Sequence, residues 1–219
     1  MTATMQPPPR VGEGLYSVTE AAHLLTQCDR AVPPAKIRRW LDTALSFGRR
    51  DLGDGDAGLS FHDLVSLELV ARFRQRGASL QRVHRLEAQL QRQYPAMARP
   101  FAWRIFFTDG TSVWAGLDGD PSLVEIVGKR PDHYVWTGAI ASFATEVDYA
   151  ASGEAKVWRR AKGVELDPTR QQGQPVVAGT RVPVSTVIGG LAVGSASEVA
   201  DWYGLSAEQV ADAAAFGRS

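Results

Sequence analysis

Apolar residues recur at helical spacing through the first 96 positions of the chain. Tyr16 to Gln27 carries Ala21, Ala22, Leu24 and Leu25 behind Ser17-Val18-Thr19-Glu20. That opening is a capping box, in which a Ser hydroxyl and a Glu carboxylate satisfy the orphan N–H groups of a helix start. A turn over Cys28 to Val32 leads to Pro33-Pro34. Proline suits the first helical position, where a missing N–H removes no intrahelical bond. The second helix is expected to run to about Thr43, with Ile37, Trp40 and Leu41 on one face and Lys36, Arg38 and Arg39 off it. Ser60 is the expected cap of a third helix, Phe61 to Arg76, whose apolar side includes Phe61, Leu64, Val65 and Phe73 and whose stop is Gly77. Ser79 caps a fourth, Leu80 to Tyr94, stopped at Pro95. Leu80, Val83, Leu86, Leu90 and Tyr94 form an apolar stripe on it, and Arg82, Arg85, Gln89 and Arg92 the opposite, basic stripe. The apolar stripe either packs on the preceding helix or pairs with its copy in a second subunit.

The period changes after Phe101. Ala102-Trp103-Arg104-Ile105-Phe106-Phe107 alternates as a strand does, Asp109-Gly110 is a hairpin turn signal, and Ser112 to Ala115 is the return strand. Ser122–Val127 and His133–Trp136 are candidate further strands, followed by a helix-like segment from Ile140 to Tyr149 in which Phe143 and Val147 would face inward together. Val164 to Pro168 reads as a short strand ended by proline. The stretch from Gly173 to Val184 is dense in glycine and proline: Pro175 and Pro183 fix φ, and Gly173 and Gly179 allow positive φ. Behind it come a helix capped by Ser185 and running to about Val193, a capping box at Ser195-Ala196-Ser197-Glu198 ended by Gly204, and a third at Ser206-Ala207-Glu208-Gln209 opening a helix to Phe216. Val187, Leu191, Val199, Leu205 and Val210 would supply the core of that bundle.

These elements predict a mainly α protein with a small β element. A tail covers residues 1–12, a helix-turn-helix domain with its long helix 13–96, a small β-rich region 97–162, and a three-helix module 163–219. The Pro-rich start, Met1 to Arg10, lacks the apolar core of a signal peptide. No apolar run approaches the ~20 residues of a bilayer span. With a lone cysteine, Cys28, no internal disulfide framework can form. A cytoplasmic, non-membrane protein is expected.

Formal net charge is zero but unevenly spread. Residues 1–96 hold 13 Lys and Arg against 10 Asp and Glu; residues 97–219 hold 11 against 14. A basic front permits nucleic-acid binding. Two short helices joined by a turn, the second basic, are the layout of a DNA-reading helix-turn-helix. Arg49 and Arg50 stand at the root of an expected wing, between strands at Leu45–Arg49 and Leu59–Phe61. There they either meet phosphate or ornament a solvated loop. His62 and His84 lack ligand-spaced partners, so no metal site is expected. No paired carboxylates or activated nucleophile accompany them, and neither an enzyme nor a cofactor is expected. Trp103, Trp114 and Trp136 either fill a small core or line a ligand pocket, and the second option would make the chain a stand-alone regulator sensing a small molecule.

Ile37-Arg38-Arg39-Trp40 stands where MerR-like winged helix-turn-helix proteins carry a Leu-Arg-Tyr-Tyr segment, and residues 14–80 resemble that family. Gly-x-Pro-Val-Val-x-Gly-Thr-Arg-Val-Pro-Val, followed by Glu-Val-Ala-Asp-Trp-Tyr-Gly-Leu and Glu-Gln-Val-Ala-Asp-Ala, resembles the domain-of-unknown-function family 433 over residues 163–217. Together with Phe61-His62-Asp63-Leu64, the combination resembles VapB-type antitoxins paired with PIN-domain ribonuclease toxins. The resemblance implies repression of the pair's own operon at one end and a toxin-holding surface at the other, in a homodimer or a larger toxin–antitoxin assembly. It implies DNA contacts at Thr19, Lys36, Arg38, Arg39, Arg49 and Arg50, and dimer contacts at Leu80, Val83, Leu86 and Leu90. Toxin contacts are expected at Arg170, Arg181, Trp202 and Arg218. A cation there could plug a metal-binding carboxylate cluster, although Arg181 could instead brace the Gly/Pro loop through backbone carbonyls and Trp202 could be core.

Overall fold

The structure, a computed structural model, describes residues 12–26, 32–43, 50–51, 57–97, 99–104, 106–108, 113–115, 124–127 and 143–218. The fold is mainly α with small antiparallel sheets. Helix α1 (Val18–Thr26) starts as its sequence dictates: the Ser17 N–H donates to Glu20 Oε2 at 2.8 Å, and the Glu20 N–H to Ser17 Oγ at 3.1 Å. Helix α2 (Pro34–Thr43) packs beside it. Strands β1 (Arg50–Asp51) and β2 (Ala57–Gly58) then pair antiparallel, Arg50 opposite Gly58. The wing is therefore nearer its tip than expected. Leu59 is taken instead by Tyr16 through two backbone hydrogen bonds of 2.8 Å, and Phe61 already opens the next helix; Leu45–Arg49 lie outside the described residues.

Helix α3 (Phe61–Gln75) is the axis of the molecule. The sequence predicted one apolar side, but Asp63 through Phe73 are all buried. The reason is that α3 is covered from more than one direction: by α4 (Leu80–Gln93), by a 3-10 turn (Pro100–Ala102) and by strand β7 (Ala155–Ala161). Its end uses Gly77 as expected, with the Ala78 N–H reaching Phe73 O at 3.0 Å and the Gly77 N–H reaching Arg74 O at 3.2 Å.

The segment expected as a strand from Ala102 is part 3-10 turn and part strand, because Phe101 and Ala102 turn into the core, Trp103 makes an isolated bridge to Glu154, and β3 (Phe106–Thr108) pairs in a ladder. Strands β3, β4 (Val113–Ala115) and β5 (Val124–Val127) form an antiparallel sheet with Phe107 opposite Trp114. Asp109-Gly110 and His133–Trp136 lie outside the described residues. The helix expected up to Tyr149 is corrected at its end: Val147–Tyr149 is strand β6, held by its ladder to β7. Phe143 and Val147 are both buried, as their spacing predicted.

Strands β6, β7, β8 (Val164–Leu166) and β9 (Pro175–Val177) run as one antiparallel meander. This sheet crosses the expected division at 162/163, so the middle region and the C-terminal module share backbone hydrogen bonds. Three helices close the chain: α5 (Val184–Leu191), α6 (Ala196–Tyr203) and α7 (Ala207–Gly217). The boxes at Ser195/Glu198 and Ser206/Gln209 form as read. The first helix differs: Pro183, not Ser185, is its cap residue, because the Thr186 and Val187 N–H groups reach the Pro183 carbonyl at 3.0 and 3.3 Å. Val187, Val199, Leu205 and Val210 are buried and Leu191 packs against them. One apolar cluster runs from Tyr16 to Phe216, with Trp158 fully buried within it.

Candidate functional site

Helix α2 sorts its residues cleanly. Ile37, Trp40 and Leu41 are buried, while Lys36, Arg38 and Arg39 are exposed. The Lys36 ammonium lies 5.5 Å from the centroid of the Trp40 ring one turn later, which steadies its stem without hiding its charge. Arg50 sits on β1 and Arg49 lies outside the described residues. Thr19 is exposed, but on a different feature: it lines a hollow with Leu15, Gln172 and Pro175, between α1 and the C-terminal module.

The apolar stripe of α4 is largely covered within the chain. Val83, Leu86 and Leu90 are buried within a single chain, packed toward α3 and the 3-10 turn, and only Leu80 is partly exposed. Periodicity had left both packings open, and here the stripe faces the chain's own core.

A polar seam ties the two ends of the molecule together. The Tyr16 hydroxyl donates to the Gly173 carbonyl at 2.7 Å, buried and 157 positions apart in sequence. Gly173 has φ +86, and a Cβ there would stand 2.2 Å from the Tyr16 oxygen, so backbone and space both demand glycine. Burial, then the charges of Glu20 and Asp167, push the Tyr16 hydroxyl well above the ordinary phenol range, so it stays a donor. Arg160 Nε donates to Leu24 O at 2.7 Å near the end of α1, and its guanidinium lies 4.8 Å over the Trp158 ring. Deeper in, Arg72 Nε donates to Glu68 Oε1 at 2.7 Å, and Nη2 donates to Glu146. Burial opposes the Arg72 charge, but the hydrogen bonds and charges of Glu146 and Glu68 outweigh it and hold the group protonated. His62 Nε2 lies 3.0 Å from Ala155 O, a structural tie to β7. Sequence reasoning missed this seam because its partners are far apart along the chain. Two adjoining hollows of about 330 and 360 Å³ open along it.

In the C-terminal module the arginines separate. Arg170 is engaged by Glu165 at 2.5 Å and Asp167 at 3.2 Å, and also reaches Thr180 O at 3.4 Å. The brace of the Gly/Pro loop is thus Arg170 and not Arg181, whose side chain is exposed. Arg218 is exposed as well. Trp202 is surface, not core. Of the middle aromatics, Trp103 is partly buried against the core and bridges Glu154, Trp114 is on β4, and Trp136 lies outside the described residues. Among the described residues, no group of three His, Cys, Asp or Glu side chains gathers as a metal site, and no helix is long and apolar enough to cross a membrane.

The Gly/Pro entry loop, the β8–β9 ladder and the three capped helices have a counterpart among known families. Residues 164–216 match the family described as protein of unknown function DUF433. The C-terminal domain belongs to the DUF433 family. Beyond that domain, the whole chain is similar to the Mycobacterium tuberculosis protein named "Putative antitoxin VapB45": 26% identity over 230 residues, spanning 91% of this chain and 92% of that protein. It is similar in fold to the crystal structure of Rv2018 from Mycobacterium tuberculosis, with a TM-score of 0.67 and 25% identity over 91% of this chain and 96% of that one. The likeness therefore extends beyond the DUF433 match into the front region of the chain.

Proposed function

We propose that this chain is the antitoxin of a type II toxin–antitoxin pair, which binds and neutralises a PIN-domain ribonuclease toxin and represses its own operon. The observation that carries this reading is the similarity to a VapB-type antitoxin through 91% of the chain, front region and DUF433 domain together. On the DNA side, α2 acts as the recognition helix of a MerR-like helix-turn-helix. Its exposed Arg38 and Arg39 have the fork geometry that reads guanine edges, and Lys36 and Arg50 supply phosphate contacts. On the toxin side, Arg181 and Arg218 are exposed cations suited to a carboxylate cluster, whereas Arg170 is committed to Glu165 and Asp167. A dimer reading an inverted repeat is the expected form on DNA.

The test is co-expression with the product of the adjacent reading frame. A stable complex with a silenced ribonuclease is expected, together with a gel shift on the pair's own promoter. The double variant Arg38→Ala/Arg39→Ala should weaken operator binding by about 1–3 kcal/mol for each arginine that reads a base. The reading fails if the neighbouring frame encodes no nuclease and the chain purifies alone.

A further inference from the structure

Helix α6 exposes what a helix in water normally buries. Trp202 is 52% exposed, and Val193 in the loop before the helix is 82% exposed, with Tyr203 beside them at 37%. The indole is nonetheless seated. It lies across Gly194, where a Cβ would stand 2.5 Å from Cη2. Gly194 is not in the left-handed region, so its lack of a side chain makes room for the ring and not for a turn. An aromatic already seated at the surface loses little freedom when a partner covers it, and tryptophan is a frequent binding anchor.

The charges nearest this anchor along the chain have one sign. Glu198 is one helical turn from Trp202, Asp201 adjoins it, and both are exposed. From Val182 to the end the acids are Glu198, Asp201, Glu208 and Asp212, and the one base is Arg218. Lys162 engages Glu208 at 2.7 Å and Asp212 at 3.5 Å, which leaves Glu198 and Asp201 as the acidic rim of the Trp202 patch.

We infer that α6 and Val193 dock into an apolar pocket rimmed by Lys and Arg side chains on a partner protein. The inference rests on the antitoxin reading and names the surface and chemistry by which the partner is held. An enzyme that cuts RNA must present cations to a polyanion, so a ribonuclease supplies that rim. A second copy of this chain does not fit: a two-fold contact would set Glu198 and Asp201 against their own symmetry mates. Nucleic acid and anionic lipid are repelled by the same acids.

The experiment titrates full-length chain against the co-encoded toxin by calorimetry, with thermal melts confirming that each variant is folded. Trp202→Ala should weaken the complex at least about tenfold. Gly194→Ala, which lifts the ring without removing it, should weaken it in the same direction. Glu198→Gln/Asp201→Asn should weaken it a few-fold and flatten its salt dependence. If the wild-type complex forms and the Trp202 and Gly194 variants bind as tightly as wild type, the surface is wrong while the antitoxin reading stands. If the wild-type chain forms no complex, both fall. A free chain that self-associates through this face, shown by dissociation on Trp202→Ala with toxin affinity unchanged, assigns the patch to a second copy and overturns the inference.

Discussion

Helices α2 and α6 are short, amphipathic and opposite in what they present. Helix α2 buries Ile37, Trp40 and Leu41 and turns Lys36, Arg38 and Arg39 to solvent. Helix α6 buries Val199 and turns out Trp202 and Tyr203 beside Glu198 and Asp201. Cations on a helix over a sound apolar footing suit a polyanion, which is bound through charge and base edges. A seated tryptophan among carboxylates suits a protein, because apolar area left in water stabilises nothing until something covers it. The two ends differ in chemistry in the way that two different partners would require.

They are not independent bodies, and the largest expected effect tests that. Arg72 links α3 to the Glu146 segment and sits against fully buried Glu68, with its guanidinium 5.1 Å from the Phe143 ring. Arg72→Met would leave Glu68 buried without its cation, and breaking such a pair costs about 3–5 kcal/mol. Urea unfolding followed by circular dichroism should show that loss in a single transition. A loss below about 1 kcal/mol, or two separated transitions, would mean that the ends are tethered rather than packed.

A middle-sized effect sharpens the same point at the seam. Tyr16→Phe removes the donor to Gly173 O and leaves a buried carbonyl unsatisfied, which costs about 1–3 kcal/mol. Helix α1 begins two residues after Tyr16, and the 3-10 turn that enters the Gly/Pro loop ends at Gly173. Operator affinity should therefore follow stability in this variant, whereas Arg38→Ala/Arg39→Ala should change operator affinity and leave the melting temperature within a degree or two. If Tyr16→Phe leaves stability unchanged, the contact between the ends is incidental.

Local features were legible in the sequence and distant pairings were not. Ser17, Ser60, Ser79, Ser195 and Ser206 all announce helix starts, because a cap hydroxyl and the N–H it accepts from lie within four residues of each other. The burial of Ile37 and Trp40 followed from spacing alone. The fate of the α4 stripe did not, since Val83 and Leu90 look alike whether a core or a second subunit covers them. Tyr16 and Gly173, or Arg160 and Leu24, are joined only by the fold, and no local pattern marks them. Ser185 misled because a serine one residue into a helix resembles a cap, while the preceding proline already supplied the carbonyl. Trp202 misled least: apolar spacing alone could not say whether it was core or anchor, and the glycine that seats it is eight residues away.

The smallest effect compares α6 with α7. Both begin with the same box, but α6 closes it with Glu198 and α7 with Gln209: the Ser195 N–H donates to Glu198 Oε2 at 2.8 Å, and the Ser206 N–H to Gln209 Oε1 at 2.9 Å. The Ser195 hydroxyl and then its backbone N–H hold the Glu198 carboxyl below the usual carboxylate range. A group whose pKa is lowered by folding adds stability above its unfolded pKa and loses it as pH falls through the folded one. Acid should therefore loosen the start of α6 and leave α7 capped. Amide exchange at Ser195 and Ser206 reads this directly, with protection at Ser195 falling below the carboxylate range and protection at Ser206 holding. Glu198→Gln should give α6 the neutral box that α7 already has and abolish the difference. Equal loss at both serines would mean that acid acts on the whole module and that the cap carboxylate has no separate role.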